Sequence, residues 1–322
     1  MLDTIRLARP ELTLPAHHDG RHALDKANPR DRESVPFIVN IPDEGISFFT
    51  YTWVNARHEA GAAICIFGPG VDDRIITLGL PDRPVSPDMD FSDWQIENFS
   101  MKHDLAFRTA EFRYAGDEVE LDFTFEAFHP PYAYSAHRQG CPPYCADDRI
   151  EQGGRVKGTL KVDGKTIAFD AAAHRDHSWG SRDWTAMRNG YRWFVGQVGK
   201  DVSIHFWHLN ALGQTSVRGY VMKDGLMAEI ADLDVEWTFD EQFRQKTLAA
   251  RIRDEADRRT DLTAEFFSHG VLVPSDDLTL NEAGARIWVD GREGAGWLEF
   301  AWATDYLAHI RSVPAYVPKQ EG

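Results

Sequence analysis

The sequence predicts an all-β protein made of two antiparallel domains of barrel or half-barrel type. Three observations carry this expectation. Short β-branched and aromatic runs recur from Ile46 onward, Gly, Asp and Pro punctuate them, and a stretch poor in regular pattern falls near the middle of the chain. At 322 residues, and with about 150 residues per domain as a guide, two domains are also the expected number.

Ile46 to Val54, Ala62 to Phe67 and Ile75 to Leu80 read as the first strands. Leu121, Phe123 and Phe125 alternate with Asp122, Thr124 and Glu126, so one face of that strand is apolar and the other polar. Phe128 to Gly154 contains Pro130-Pro131, Pro142-Pro143 and Gly153-Gly154 and reads as loop or linker. The domains are therefore expected at 1–160 and 161–322, with the first 45 residues, rich in Pro, Arg and Asp, wrapping the surface.

In the second half, Val156 to Val162 and Lys165 to Phe169 flank Asp163-Gly164, a strong hairpin signal. Tyr191 to Val198 and Val202 to Asn210 pair around Gly199-Lys200-Asp201, and four more runs follow between Val217 and Ala303. Lys246 to Asp257 fits period two weakly and is read as a strand.

A composition of 43% hydrophobic and 27% charged residues is that of a folded globular chain and excludes disorder and fibrous architectures. A formal charge of −16 repels phosphate backbones, so no nucleic-acid partner is expected. No apolar run reaches the roughly 18 residues of a membrane span, and the N-terminal segment lacks a secretory pattern. Three cysteines argue against a disulfide framework and fit a reducing, cytoplasmic setting.

One stretch concentrates chemistry. His174-Arg175-Asp176-His177-Ser178-Trp179-Gly180-Ser181-Arg182-Asp183-Trp184 follows the strand ending at Phe169, precedes the one beginning at Tyr191, and is read as a connection that lines a cavity mouth. His177 titrates near neutrality and can give or take a proton. Asp176 or Asp183 would fix its tautomer or act as acid or base, and Arg175 and Arg182 would stabilise a developing oxyanion. Trp179 and Trp184 offer flat apolar walls. The same residues would equally serve as a brace between two sheets, since buried ion pairs perturb pKa values without catalysis.

Arg175-Asp176-His177-Ser178-Trp179-Gly180 followed by Arg182-Asp183-Trp184 resembles the signature of the tandem lipocalin-like proteins related to carotenoid hydratase (hydroxyneurosporene synthase). The preceding Gly158 to Gly164 hairpin is similar to that family's lead-in. The resemblance implies two successive lipocalin-like barrels or half-barrels with a ligand pocket near their contact. It also implies hydratase, dehydratase or pericyclic chemistry on apolar substrates. His174 stands where the family has a small residue, which would mark a modified pocket.

Other candidates carry weaker signals. His205 and Trp207 share one face of their strand, and Phe206 and His208 the other. Phe49, Tyr51 and Trp53 share a face in the first domain, where a barrel core needs aromatic residues anyway. Glu126 lies on a polar face that would be functional only if it lined a polar cavity. His129, His137, Cys141 and Cys145 do not match a common zinc knuckle, so no metal site is expected there. P-loop, dinucleotide and nucleophile-elbow motifs are absent, and no organic cofactor is expected.

The expected function is a cofactor-independent lyase, a hydratase, dehydratase or carbon–carbon lyase, acting on an apolar aromatic, terpenoid or polyene small molecule. Asp176, His177, Arg175 and Arg182 are the expected catalytic residues. Trp179, Trp184, Tyr51, Trp53, His205, Trp207 and Glu126 are the expected substrate contacts. The alternative is a non-catalytic lipocalin-like carrier of an apolar molecule. A third reading makes Trp179 and Trp184 anchors of an interface, as in a homodimer.

Overall fold

Alternation and two-residue turns dictate the strands seen in the computed structural model, which describes residues 4–319. The chain forms two units, Met1–Ile41, Phe48–Cys65 and Ile76–Arg182 as the first, and Pro42–Ser47, Ile66–Ile75 and Asp183–Gly322 as the second.

In chain order the strands begin with β1 (Arg6–Leu7), β2 (Asp31–Ile41), β3 (Ile46–Asn55), β4 (Glu59–Phe67), β5 (Ile75–Pro84) and β6 (Trp94–Ile96). They continue with β7 (Phe99–His103), β8 (Thr109–Ala115), β9 (Val119–Ala127), β10 (Tyr132–Ala133), β11 (Asp148–Val162) and β12 (Lys165–Ser181). Ten of these follow the order β5-β4-β3-β2-β12-β11-β9-β8-β7-β6 in a nearly closed antiparallel barrel, with β10 paired to β11.

Its interior is the apolar face that the alternation predicts. On β9, Val119, Leu121, Phe123 and Phe125 are buried, while Glu120, Asp122, Thr124 and Glu126 face solvent. Phe123 stacks on Phe112 at 4.7 Å and meets Phe37 at 5.7 Å and Phe48 at 6.2 Å. Glu126 is therefore an outward surface residue, not a cavity acid.

The remaining strands are β13 (Tyr191–Val198), β14 (Val202–Ala211), β15 (Gln214–Lys223), β16 (Leu226–Phe239), β17 (Gln245–Asp254), β18 (Arg259–Ser275), β19 (Leu278–Val289) and β20 (Arg292–Ala303), followed by helix α1 (Thr304–Ser312). They run in the order β16-β15-β14-β13-β20-β19-β18-β17, and β16 also pairs with β17, which closes an eight-stranded antiparallel barrel. Closure is possible because β16 bonds to β15 up to Glu229 and to β17 from Ile230, with a register irregularity between Ile230 and Asp232. Phe194, Ile204, Phe206, Val221, Ile287, Leu298 and Phe300 form the centre of its core.

Asp163 (φ 53°) and Gly164 (φ 72°) both take positive φ, as a two-residue type I′ hairpin requires, and join β11 to β12 in register from Val162↔Lys165. The segment at 246–257 is mostly strand, as expected, within β17.

Three expectations need correction. Residues 148–154 are not linker but the buried start of β11, which pairs with β12 along its whole length. Because β12 also pairs with β2, the motif strand to Arg182 belongs to the first unit, and the division falls after residue 182 instead of 160. The first 45 residues do not simply wrap the surface: β2 is a buried central strand, and Leu12, Asp19 and Gly20 are buried ahead of it. No helix among the described residues is long and apolar enough to cross a membrane.

Phe123→Ala should lower stability by about 3–5 kcal/mol, because it removes the ring on which three others pack. Glu126→Gln should change it by less than about 0.5 kcal/mol. Urea denaturation of the two variants checks both the core and the outward direction of that strand's polar face.

Candidate functional site

The His174–Gly180 segment is not a connection. It lies within β12, fully buried, with β11 bonded on one side and β2 on the other. Register with β2 is continuous from Ala172↔Asn40 to Arg175↔Phe37 and resumes at Ser178↔Ser34. The unpaired step lies opposite Val35-Pro36, where proline has no N–H to give. Side chains alternate, so Arg175, His177 and Trp179 point into the barrel, and His174, Asp176 and Ser178 point away from it. Asp176 and His177 therefore sit on opposite faces and do not form one proton-transferring unit.

On the inner face, His177 finds its carboxylate on β2. Its Nε2 lies 2.7 Å from Glu33 Oε1, and because an ionised carboxylate only accepts, Nε2 carries the proton. His22 Nδ1 donates to the same oxygen at 2.7 Å, and the His22 backbone N–H reaches both Glu33 oxygens at 3.2 and 3.1 Å. His22 Nε2 is then an acceptor for His18 Nδ1 at 2.9 Å. The His22 ring lies flat on Trp179, centroids 3.7 Å apart and planes within 6°. Burial alone would raise the Glu33 pKa, but the imidazole donors outweigh it and hold the carboxyl below its ordinary range. Burial lowers the His177 pKa against the pull of Glu33, so the ring is neutral at pH 7.

A second imidazole–carboxylate pair lies on the same face. Asp19, at the end of a short 3-10 turn over Ala16–Asp19, accepts from His103 Nδ1 at 3.1 Å, from Arg175 Nη1 at 3.0 Å and from the Phe107 N–H at 2.8 Å. Against the cost of burial, Arg175 and His103 hold the Asp19 carboxyl far below its ordinary value. Arg175 also donates Nε to Gln152 at 2.8 Å, and its guanidinium lies over Phe107 and Phe125. Phe91 touches both imidazoles, with centroids 5.3 Å from His177 and 5.6 Å from His103.

Three buried atoms on this face have no hydrogen-bonding partner among the described residues: His177 Nδ1, His103 Nε2 and Arg175 Nη2. Native proteins seldom leave buried polar atoms unpaired, and such atoms mark places where a further group is bound or a proton is exchanged. The ligand atoms of His22, Glu33 and His177 all lie within 4.8 Å of one another, a set that could hold a divalent ion. Their 2.7 Å contacts are hydrogen-bond distances; a tetrahedral ion at 2.0–2.1 Å would spread the donors to about 3.3 Å.

The outer face carries a different network. Arg149 donates to Asp176 at 2.7 Å and to Glu151 at 2.6 Å; Glu151 also accepts from His174 at 2.8 Å and Tyr134 at 3.2 Å. His174 is thus the donor to a buried carboxylate, and burial lowers its pKa despite Glu151. Arg182 donates to Ser178 at 2.6 Å, and the Tyr51 hydroxyl is approached by Arg182 at 3.4 Å and Arg32 at 3.0 Å. Burial raises the Tyr51 pKa, but the two guanidiniums outweigh it and the net shift is downward. Trp53 lies 5.5 Å from Tyr51 and donates to Asp82, on the face opposite the buried Phe48. Tyr51, Trp53, Asp176 and Arg182 therefore belong to the outer face, not to the barrel interior with His177.

Trp184 falls in a half-buried turn of the second unit. His205 and Trp207 are buried on the face of β14 opposite Ile204 and Phe206, which are core residues, so they do not line the second barrel's interior. His129 is buried and fully engaged, with Nδ1 donating to the Pro130 carbonyl and Nε2 accepting from the Gly153 N–H, and burial lowers its pKa to about 3. Asp19, His22, Glu33 and His103 are the members that sequence reasoning missed. A histidine-rich His17-His18-…-His22 arm was the one visible sign.

Two antiparallel barrels in one chain, the first carrying the Arg-Asp-His-Ser-Trp-Gly strand, define a tandem lipocalin-like fold. Residues 15–304 match the model of a family described as a domain of unknown function (DUF7064), and the chain belongs to that family. A crystal structure described as AttH from Nitrosomonas europaea superposes with a TM-score of 0.63 at 12% identity, covering 93% of this chain and 100% of that one. Kievitone hydratase from Nectria haematococca superposes with a TM-score of 0.60 at 10% identity, covering 93% of this chain and 96% of that one. At such identities the likeness is one of fold. No curated protein matches the sequence significantly.

The Glu33–His177 pair sets a pH dependence whose sign follows from both shifts. Each group has a depressed pKa in the folded chain, so the unfolded chain binds more protons and stability falls as pH falls. The loss begins near pH 6.5, where an unfolded histidine protonates, and continues through the carboxylate range near pH 4. Thermal unfolding from pH 8 to pH 4 should show this slope. Glu33→Gln should cost about 1–3 kcal/mol at pH 7 and flatten the acid part of the curve.

Proposed function

We propose that this protein is a hydratase- or dehydratase-type lyase acting on an apolar aromatic, terpenoid or polyene small molecule, by proton transfers that its own side chains supply. The observation that carries the reading is the pair of buried imidazole–carboxylate dyads, Glu33–His177 and Asp19–His103, each with its other ring nitrogen unpartnered and both against Phe91. The fold shared with kievitone hydratase supports it at the level of scaffold only.

Adding water to a polarised double bond needs one group to protonate carbon and another to take a proton from the attacking water; elimination runs the same steps backwards. Two histidines with unpartnered ring nitrogens in an apolar interior supply one site for each when one ring is neutral and the other carries a proton on that nitrogen. His177 serves as base, with Glu33 stabilising the imidazolium that forms, in the manner of an Asp–His pair. For hydration His103 acts as the imidazolium, Nδ1 donating to the Asp19 carboxylate and Nε2 giving its proton to carbon, and the proton that His177 takes from water returns to His103 through solvent; elimination reverses each transfer. Arg175 Nη2 is the available donor for negative charge developing on the substrate. Phe91, Phe37 and Trp179 are the apolar surroundings in which such charges interact strongly.

The test is a set of conjugated and prenylated alkenes incubated with the protein, with gain or loss of one water followed by mass spectrometry and proton transfer by deuterium incorporation. His177→Ala and His103→Ala should each lower turnover by about 10²-fold or more while the fold is retained. Asp176→Asn should weaken stability through Arg149 and leave turnover of the folded protein within about threefold. Full turnover in both histidine variants would refute the reading.

A further inference from the structure

The second barrel holds a cluster that the proposed reaction does not use. Arg192 on β13 lies directly across from His208 on β14 and from Phe300 on β20, so the three side chains share the inward face. The guanidinium carbon sits 4.0 Å from the Phe300 ring centroid and 5.2 Å from that of Trp237. His208 lies 6.0 Å from Trp237, and Trp302 lies 4.7 Å from Phe300.

This face is apolar and only partly covered. Along β16, Leu233, Val235, Trp237 and Phe239 pack against the barrel core, yet each is only half-buried, whereas the core residues beneath, Phe194, Phe206 and Phe300, are fully buried. Half-buried residues on the face that packs against the core leave part of this wall accessible to a ligand.

Along this wall, nitrogen atoms lack partners among the described residues: Arg192 Nε and Nη1, His208 Nδ1 and the Trp302 indole Nε1. Among the described residues no carboxylate pairs with Arg192, and burial depresses its pKa to about 10. The His208 pKa is lowered by burial and by the neighbouring guanidinium, which leaves the imidazole neutral at pH 7. A partly buried cation without a counterion is costly in proportion to its desolvation, and an entering anion relieves that cost.

We propose that the second barrel binds an apolar molecule bearing a single carboxylate, held head-first on Arg192, with its body against Trp237, Phe239 and Trp302. A monoanion matches one guanidinium beside a neutral imidazole; a chain of net charge −16 has no excess of cations to gather a more highly charged headgroup. The planar guanidinium presents a donor fork suited to carboxylate. This site goes beyond the proposed lyase reaction and uses none of its residues.

Titration calorimetry with octanoate and 1-octanol tests the idea, because the two share a tail and differ in the headgroup. The unmodified protein should bind octanoate roughly 10- to 100-fold more tightly, the range for a charge-assisted hydrogen bond at a desolvated site. Arg192→Gln should abolish that preference while leaving octanol affinity within about threefold, and Trp237→Ala should weaken both ligands. In His177→Ala the octanoate affinity should be unchanged, which separates this site from the lyase site. Equal binding of the two ligands by the unmodified protein, a measurement that needs no variant to fold, would overturn the proposal. So would an octanoate preference that survives in folded Arg192→Gln.

Discussion

The ion pair between Asp19 and Arg175, at 3.0 Å and fully buried at both ends, fixes the interior of the first barrel. Neither charge could stay there alone, since separating a buried pair leaves an uncompensated ion and costs about 3–5 kcal/mol. Arg175 projects from a central strand whose register is set on both sides, so it is the stationary partner. Asp19 comes from the N-terminal arm, 156 residues away in sequence, and is drawn in by it. Once Asp19 is seated, His103 and the Phe107 N–H have their acceptor, and His22, three residues further on, comes within reach of Glu33.

Two polar networks thus share one strand without mixing. The inner one consists of imidazoles, carboxylates and one guanidinium among aromatic rings, and it leaves several buried nitrogens unused. The outer one, around Arg149, Glu151, Asp176 and His174, is bonded through two guanidinium nitrogens and both Glu151 oxygens. The inner face differs in that it brings two imidazole–carboxylate pairs against one aromatic ring, Phe91, whereas the outer face ties its carboxylates to a guanidinium.

The second barrel follows the same logic with different groups. Its core is closed by β16, which bonds to β15 and then to β17, yet its inward wall near Arg192 is left partly uncovered. Aromatic rings stacked on a guanidinium screen it from water without neutralising it. A lipocalin-like barrel with such a wall suits the proposed carboxylate ligand and draws on none of the first barrel's residues.

Strand content was legible in the sequence because it depends on local signals. Period-two alternation in Val119–Ala127 and the Asp163-Gly164 turn act over a few residues, and both appear where expected. The importance of residues 174–184 was legible as a density of unusual side chains. That they form a strand was not, because His, Asp, Ser and Gly are poor strand formers and the segment is held by β2 and β11, not by its own propensity. The consequence was a misassigned partner: neighbours on a strand face opposite ways, so His177 pairs with Glu33, 144 residues distant, and not with Asp176 beside it. The same alternation that separates His205 from His208 was visible in the sequence, but which face is inward depends on barrel closure. Local chemistry therefore fixed the elements and flagged the motif. Only tertiary pairing, which is non-local, decided which carboxylate meets which imidazole and which side of each strand looks inward.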